Sequence, residues 1–162
     1  MNRKATEPVC DKVFEKQALS DLEKQGKVFE GCRFVQCNLA QADLSGLMFR
    51  ECSFEQCDIS LVKLADTGLQ EVKFIDCKLL GVQFSDCRKL LLEISFERCM
   101  MKLSVFLKLD LKNTRFTDCN LHEADFTEAN LTASHFENCD LMQALFFHTN
   151  LEKADFRTAF NF

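Results

Sequence analysis

From Phe29 onward a large apolar residue returns at every fifth position: Phe29, Phe34, Leu39, Leu44, Phe49, Phe54, Ile59, Leu64, Leu69, Phe74, Leu79 and Phe84. The run breaks at Lys89 and resumes two residues out of phase at Leu91, Phe96, Met101 and Phe106, continuing to Phe156, which predicts a two-residue insertion near residues 85–92. A period of five suits neither standard element. On an α-helix each step would turn roughly 140° and scatter the apolar residues, and on a strand odd steps alternate between faces. A chain that turns a corner after every short extended segment does bury the pattern, because each fifth side chain then points at a common axis. The periodicity predicts a β-helix over residues 27–162.

The residue two before each large one is small or compact almost throughout, as at Cys32, Cys37, Ala42, Val62, Thr67, Ala124, Ser134 and Ala159, with Leu47, Ile94 and Leu109 as bulky exceptions. One large and one small inward residue per five fill a narrow interior at native packing density. The same slot accounts for nine of the ten cysteines, which therefore read as compact buried hydrophobes and not as metal ligands or disulfide partners. Cys10 falls outside the slot and reads as a free thiol in a flexible terminus. Residues 1–26 have two readings: Val13, Phe14, Ala18, Leu19 and Leu22 form an amphipathic cap over the first coil, or Phe14 and Leu19, which fit the register, begin a partial coil.

Units such as Ala42-Asp43-Leu44-Ser45-Gly46, Ala124-Asp125-Phe126-Thr127-Glu128, Ala129-Asn130-Leu131-Thr132-Ala133 and Ala154-Asp155-Phe156-Arg157-Thr158 resemble the A(D/N)LXX signature of pentapeptide-repeat proteins. The resemblance covers roughly residues 27–160 and implies an all-β fold, a right-handed quadrilateral β-helix with four pentapeptides to each coil. With neighbouring strands about 4.8 Å apart, between six and seven such coils would make a rod of roughly 30 Å. Phe and Leu alternate from Phe116 to Phe156, which in this geometry stacks Phe116, Phe136 and Phe156 in one ladder with Phe126 and Phe146 opposite.

A filled rod offers no concave site for a substrate, and there is no glycine loop for phosphate, no arguable carboxylate pair and no CxxC spacing, so neither enzymatic activity nor a cofactor or metal is expected. His122, His135 and His148 fall at outward positions of different kinds and read as solvated surface. A net charge of −5 has the wrong sign for direct nucleic-acid binding. No stretch approaches the roughly 18 apolar residues of a membrane span, and no apolar segment follows the first basic residues, so a cytoplasmic protein is expected.

Two functional readings remain. Phe29-Glu30-Gly31-Cys32-Arg33-Phe34 and the segment Phe136 to Ala144 resemble the quinolone-resistance (Qnr) branch of the family, which implies a DNA mimic that binds a type II topoisomerase, DNA gyrase or topoisomerase IV, and protects it from quinolones. Glu30, Glu51 and Glu71 line up on one wall as the candidate acidic face, although Arg98, Arg115 and Arg157 interrupt the acids of the second run. That branch mostly carries substantial projecting loops, and here only two residues are inserted. The alternative is a generic protein-interaction rod or a structural scaffold. Its candidate contact residues are Leu61, Leu80, Met100 and Leu103 on one wall, and Val105, Leu107, Leu145 and Phe147 on the next. The chain stops at Asn161-Phe162 without a capping segment, which predicts a homodimer through the C-terminal coil.

Overall fold

The computed structural model describes residues 7–162 as a right-handed, four-walled β-helix. Its strands, in chain order, are β1 (Val9–Cys10), β2 (Val13–Glu15), β3 (Val28–Glu30), β4 (Arg33–Val35), β5 (Met48–Arg50), β6 (Ser53–Glu55), β7 (Gly68–Gln70), β8 (Val72–Ile75), β9 (Ile94–Glu97), β10 (Arg115–Thr117) and β11 (His135–Glu137). All pair in parallel. The first wall is a four-stranded sheet, β1-β3-β5-β7, and the second a seven-stranded sheet that runs from β2 through β4, β6, β8, β9 and β10 to β11. The third and fourth walls are narrower ladders of single bridges, such as Asn38 to Asp58 and Asp43 to Lys63.

Most corners are made by one residue in the left-handed region, five residues after the last, as at Gln36, Gln41, Gly46 and Glu51; the turn at Phe84–Asp86 has none, and across the insertion the step from Leu91 to Arg98 is seven. The aspartate or asparagine of the motif serves the narrow walls. Its side-chain oxygen accepts the N–H two residues on, as Asp43 does from Ser45 at 3.0 Å and Asp125 from Thr127 at 2.8 Å, which holds the turn where no wide sheet does. Polar hydrogens in the inward slot follow a rule of their own. Thr67, Ser104 and Ser134 donate at 2.8 Å to the carbonyls of Leu44, Leu79 and Leu111 in the coil beneath. Most of the cysteine thiols do the same, as Cys37 to Phe14 and Cys57 to Phe34, and no buried side-chain nitrogen or oxygen lacks a partner among the described residues.

The nine slot cysteines are buried and reduced, and burial pushes the Cys52 and Cys87 thiols up to about 12. Leu47, Ile94 and Leu109 are buried in the same slot. The phenylalanines stack as ladders: Phe116, Phe136 and Phe156 are separated by 4.8 and 4.6 Å, and Phe126 lies 5.2 Å from Phe146 and edge-on to Phe116 at 88°.

Three expectations need correction. Phe54 pairs with Phe74 and Phe74 with Phe96, so the register gains two residues there, but the side chain that turns inward is Leu92; Leu91, at φ 57°, and Leu90 are 67% and 72% exposed. The left-handed corner falls on Leu91, which aims its side chain at solvent. At the other end Cys10 belongs to β1, opposite Glu30, with its thiol exposed, so it is not part of a loose terminus. Strands β1 and β2 form two walls of a starting coil, and a short helix, Leu19–Glu23, follows with Leu22 buried; Val13 faces solvent and covers nothing. Residues 1–6 lie outside the described residues.

Candidate interaction surface

Three of every five side chains point outward, and many of the charged ones are spent on one another. Arg33 donates two hydrogen bonds to Glu55, at 2.9 and 2.8 Å, and Arg88 to Asp66, at 3.0 and 2.9 Å. Arg98 holds Asp76 at 2.7 and 3.1 Å and also contacts Glu97. These guanidinium groups keep the carboxyls of Glu55, Asp66 and Asp76 below their ordinary range. Lys102 reaches Glu123 at 3.2 Å, and Lys108 reaches Glu128 at 3.7 Å.

The candidate acids separate. Glu30 lies within 4.0 Å of Arg50, which offsets it. Glu51 and Glu71 occupy the same left-handed corner of successive coils, and Glu93 follows one coil on, just before β9; all three are exposed. They line a groove of about 850 Å³ together with Glu55 and the cations Arg33, Lys73, Lys112 and Arg115. Four carboxylates among four cations make a mixed groove and not a continuous negative wall.

The apolar candidates gather more closely. Leu61, Leu80, Met100 and Leu103 lie on the third wall in successive coils and are between 40% and 56% exposed. The Leu61 N–H bonds the Leu80 carbonyl at 3.0 Å, and Met100 bridges to Lys78, which ties the four to adjoining layers. Leu107 sits round the corner on the fourth wall. Phe147 stands two coils above it, with Thr127 between, and packs on His148 at 4.0 Å, so it belongs to a separate apolar group with Leu145 near the C-terminal end.

Sequence reasoning missed Gly81, at the corner between Leu61 and Leu103. A Cβ there would meet Leu61 Cδ2 at 2.8 Å, so the leucine lies over the glycine. The signal was present: glycine at a corner position, between two leucines each one coil away. His122 also differs from its reading as solvated surface, since its Nε2 lies 2.6 Å from Asp140 Oδ2, and Asp140 additionally accepts from Asn161 at 3.0 Å. No three His, Cys, Asp or Glu side chains among the described residues converge as metal ligands, and no helix there is long and apolar enough to cross a membrane.

The model of the family described as "Pentapeptide repeat region" matches residues 27–92 and 89–159. The chain belongs to the pentapeptide-repeat family. Among solved structures it is similar to QnrB1, a plasmid-mediated fluoroquinolone resistance protein, at 15% identity and TM-score 0.49, over 96% of this chain and 94% of that one. It is similar to Rfr23 from the cyanobacterium Cyanothece 51142 at 13% identity and TM-score 0.31, over 94% and 82%. HetL, involved in heterocyst differentiation regulation in Nostoc sp. strain PCC 7120, gives 14% identity and TM-score 0.24, over 94% and 84%. The comparison with curated proteins finds no match.

Proposed function

We propose that this pentapeptide-repeat rod is a non-catalytic binding protein whose partner face is the third-wall patch of Leu61, Leu80, Met100 and Leu103. The observation that carries the reading is that four large apolar side chains gather on one wall and stay between 40% and 56% exposed. Exposed apolar side chains gathered in this way mark a partner surface. In the test, wild-type protein and the double variant Leu80→Ser, Leu103→Ser are compared in affinity capture from host lysate. Loss of one discrete partner with unchanged circular dichroism supports the reading, and equal capture removes this surface from consideration.

The DNA-mimic reading is supported by one observation, the row of Glu51, Glu71 and Glu93, three exposed carboxylates one coil apart. On that reading the rod engages DNA gyrase or topoisomerase IV in place of duplex DNA. A gyrase supercoiling assay with and without a fluoroquinolone tests it: protection or direct inhibition, lost on changing the three glutamates to glutamine, supports it, and no effect up to micromolar protein discards it.

The C-terminal end supports a third element of the proposal, a homodimer. The large inward residues of the last coil, Phe146, Leu151 and Phe156, are incompletely covered, unlike Phe126 and Phe136 beneath them. End-to-end stacking would bury them. Light scattering at micromolar concentration should give twice the mass of one chain; a single-chain mass refutes it.

A further inference from the structure

We infer that the third-wall patch takes an acidic amphipathic α-helix laid along the rod axis. This rests on the reading of that patch as the partner face and names the chemistry of the partner.

The backbone decides first what kind of element docks. On this wall the main-chain groups are already bonded to the coils above and below: Leu79 N–H to the Met100 carbonyl at 2.8 Å, Met100 N–H to Cys77 at 3.0 Å and Met101 N–H to Asn120 at 2.8 Å. A partner strand finds no edge to extend, so recognition is by side chains, and a helix is the element that presents a stripe of them.

Spacing decides how it lies. Leu61, Gly81 and Leu103 follow one another up a single corner, one to each coil. With coils about 4.8 Å apart the two leucines stand roughly 10 Å from each other along the axis. Seven residues of α-helix rise about 10.5 Å, so a stripe at i and i+7 keeps step with the two knobs when the helix runs parallel to the rod. Gly81 lies between them, and because it has no side chain Leu61 leans across it; a Cβ there would meet Leu61 Cδ2 at 2.8 Å.

Charge decides the polar flanks. In a chain of net charge −5, the layers of this wall present Asp58, Ser60 and Leu61, then Lys78, Leu80 and Gly81, then Met100, Lys102 and Leu103; Asp58, bridged to Lys78, accepts the Ser60 N–H at 3.1 Å, and the two layers above it carry lysine alone. Lys78 makes no ion pair among the described residues, and Lys102 reaches only up to Glu123, at 3.2 Å. A helix with glutamate or aspartate beside its apolar stripe satisfies both lysines; one flanked by lysine or arginine is repelled.

The test uses the full chain and two fluorescent helical peptides that share an apolar stripe at i, i+4 and i+7, one flanked by glutamate and the other by lysine. Anisotropy should show binding of the glutamate peptide at least tenfold tighter. Lys78→Glu with Lys102→Glu should reverse that preference. Gly81→Ala should weaken binding about tenfold by displacing the Leu61 side chain that lies over it. Gly46→Ala, at an equivalent left-handed corner with open space around it, carries a similar backbone strain and should leave binding unchanged. Equal or absent binding of the two peptides, Gly81→Ala binding like wild type, or preferential binding to phosphatidylglycerol vesicles each overturns the inference. If the peptides fail while Leu80→Ser, Leu103→Ser still abolishes partner capture, the patch stands and the acidic helix falls.

Discussion

The two halves of the core solve the same packing problem differently. In the first, phenylalanines stack on adjacent walls: Phe29 on Phe49 at 5.4 Å on the first wall, and Phe14, Phe34 and Phe54 on the second, at 5.2 and 4.7 Å. In the second half they stack on opposite walls, with Phe84, Phe106, Phe126 and Phe146 on the fourth facing Phe96, Phe116, Phe136 and Phe156 on the second. Rings on opposite walls meet edge to face at 79–90°, and the slots between them hold mainly alanine, serine and threonine, with cysteine at Cys99, Cys119 and Cys139, whereas the first half fills its slots mainly with cysteine and valine. The changeover falls in the coil of Leu64, Leu69, Phe74 and Leu79, which has one aromatic ring and borders a cavity of about 10 Å³. The insertion follows directly. There the first-wall sheet ends at β7, while the second-wall sheet, whose phenylalanine stack is unbroken from Phe14 to Phe156, runs straight through. A continuous aromatic ladder keeps its wall in register, and the wall whose ladder stops at Leu69 is the one that accepts two extra residues.

The largest expected effect comes from removing a ring. Phe126→Ala, in the middle of the fourth-wall stack, should destabilise the protein by about 3–5 kcal/mol in urea denaturation. Phe49→Ala, at the end of its stack and beside the cavity, should fall at the lower end of that range. A reversed order would break the comparison between the halves.

Leu64→Phe extends the fourth-wall ladder down into the changeover coil. The cavity there, about 10 Å³, is smaller than the added ring atoms, so overpacking should cost about 1–3 kcal/mol. A gain in stability would mean the changeover is merely underfilled.

Deleting Lys89 and Leu90 converts the bulge into a regular unit, Cys87-Arg88-Leu91-Leu92-Glu93, with Leu91 inward. The variant should fold with stability changed by less than about 1 kcal/mol, since shortening a surface loop by two residues alters closure entropy little. Hydrogen exchange at Gln70 and Glu71 should slow as the first-wall sheet closes over β7. Unfolding of the variant would show that the bulge itself is required.

The smallest effect concerns pH. Arg33 and Ser53 lower the Glu55 pKa in the folded state from its ordinary value of 4.5. The pair's contribution is therefore complete above about that value and is lost as pH falls through the lower folded value. With Arg33 largely exposed it amounts to about 0–1 kcal/mol. Glu55→Gln should flatten the acid limb of the stability curve by that amount; an unchanged limb assigns acid sensitivity to other carboxylates.

The five-residue period made the fold legible before any coordinates, because inward direction repeats with the corner and burial follows direction. The Phe116 and Phe126 ladders were readable for the same reason. Near the insertion the reading slipped by one residue, since a run of Leu90, Leu91 and Leu92 offers three equivalent apolar choices, and only the position of the left-handed corner selects Leu92. The exposed apolar patch of the third wall was legible as outward residues on one wall. The contact of Leu61 with Gly81 was not, because it depends on how the Leu61 side chain leans.

By itself the sequence determined which side chains face in and which face out, and hence the rod and its filled interior: these follow from periodicity, a property of neighbours along the chain, while the four walls came from the resemblance to the family and are seen in the structure. Tertiary structure alone decided which outward groups meet, as Arg33 with Glu55, Arg88 with Asp66, His122 with Asp140 and Leu61 with Gly81. Those contacts join residues a coil apart, and they depend on the pitch, on the two added residues and on side-chain rotamers that no local pattern encodes.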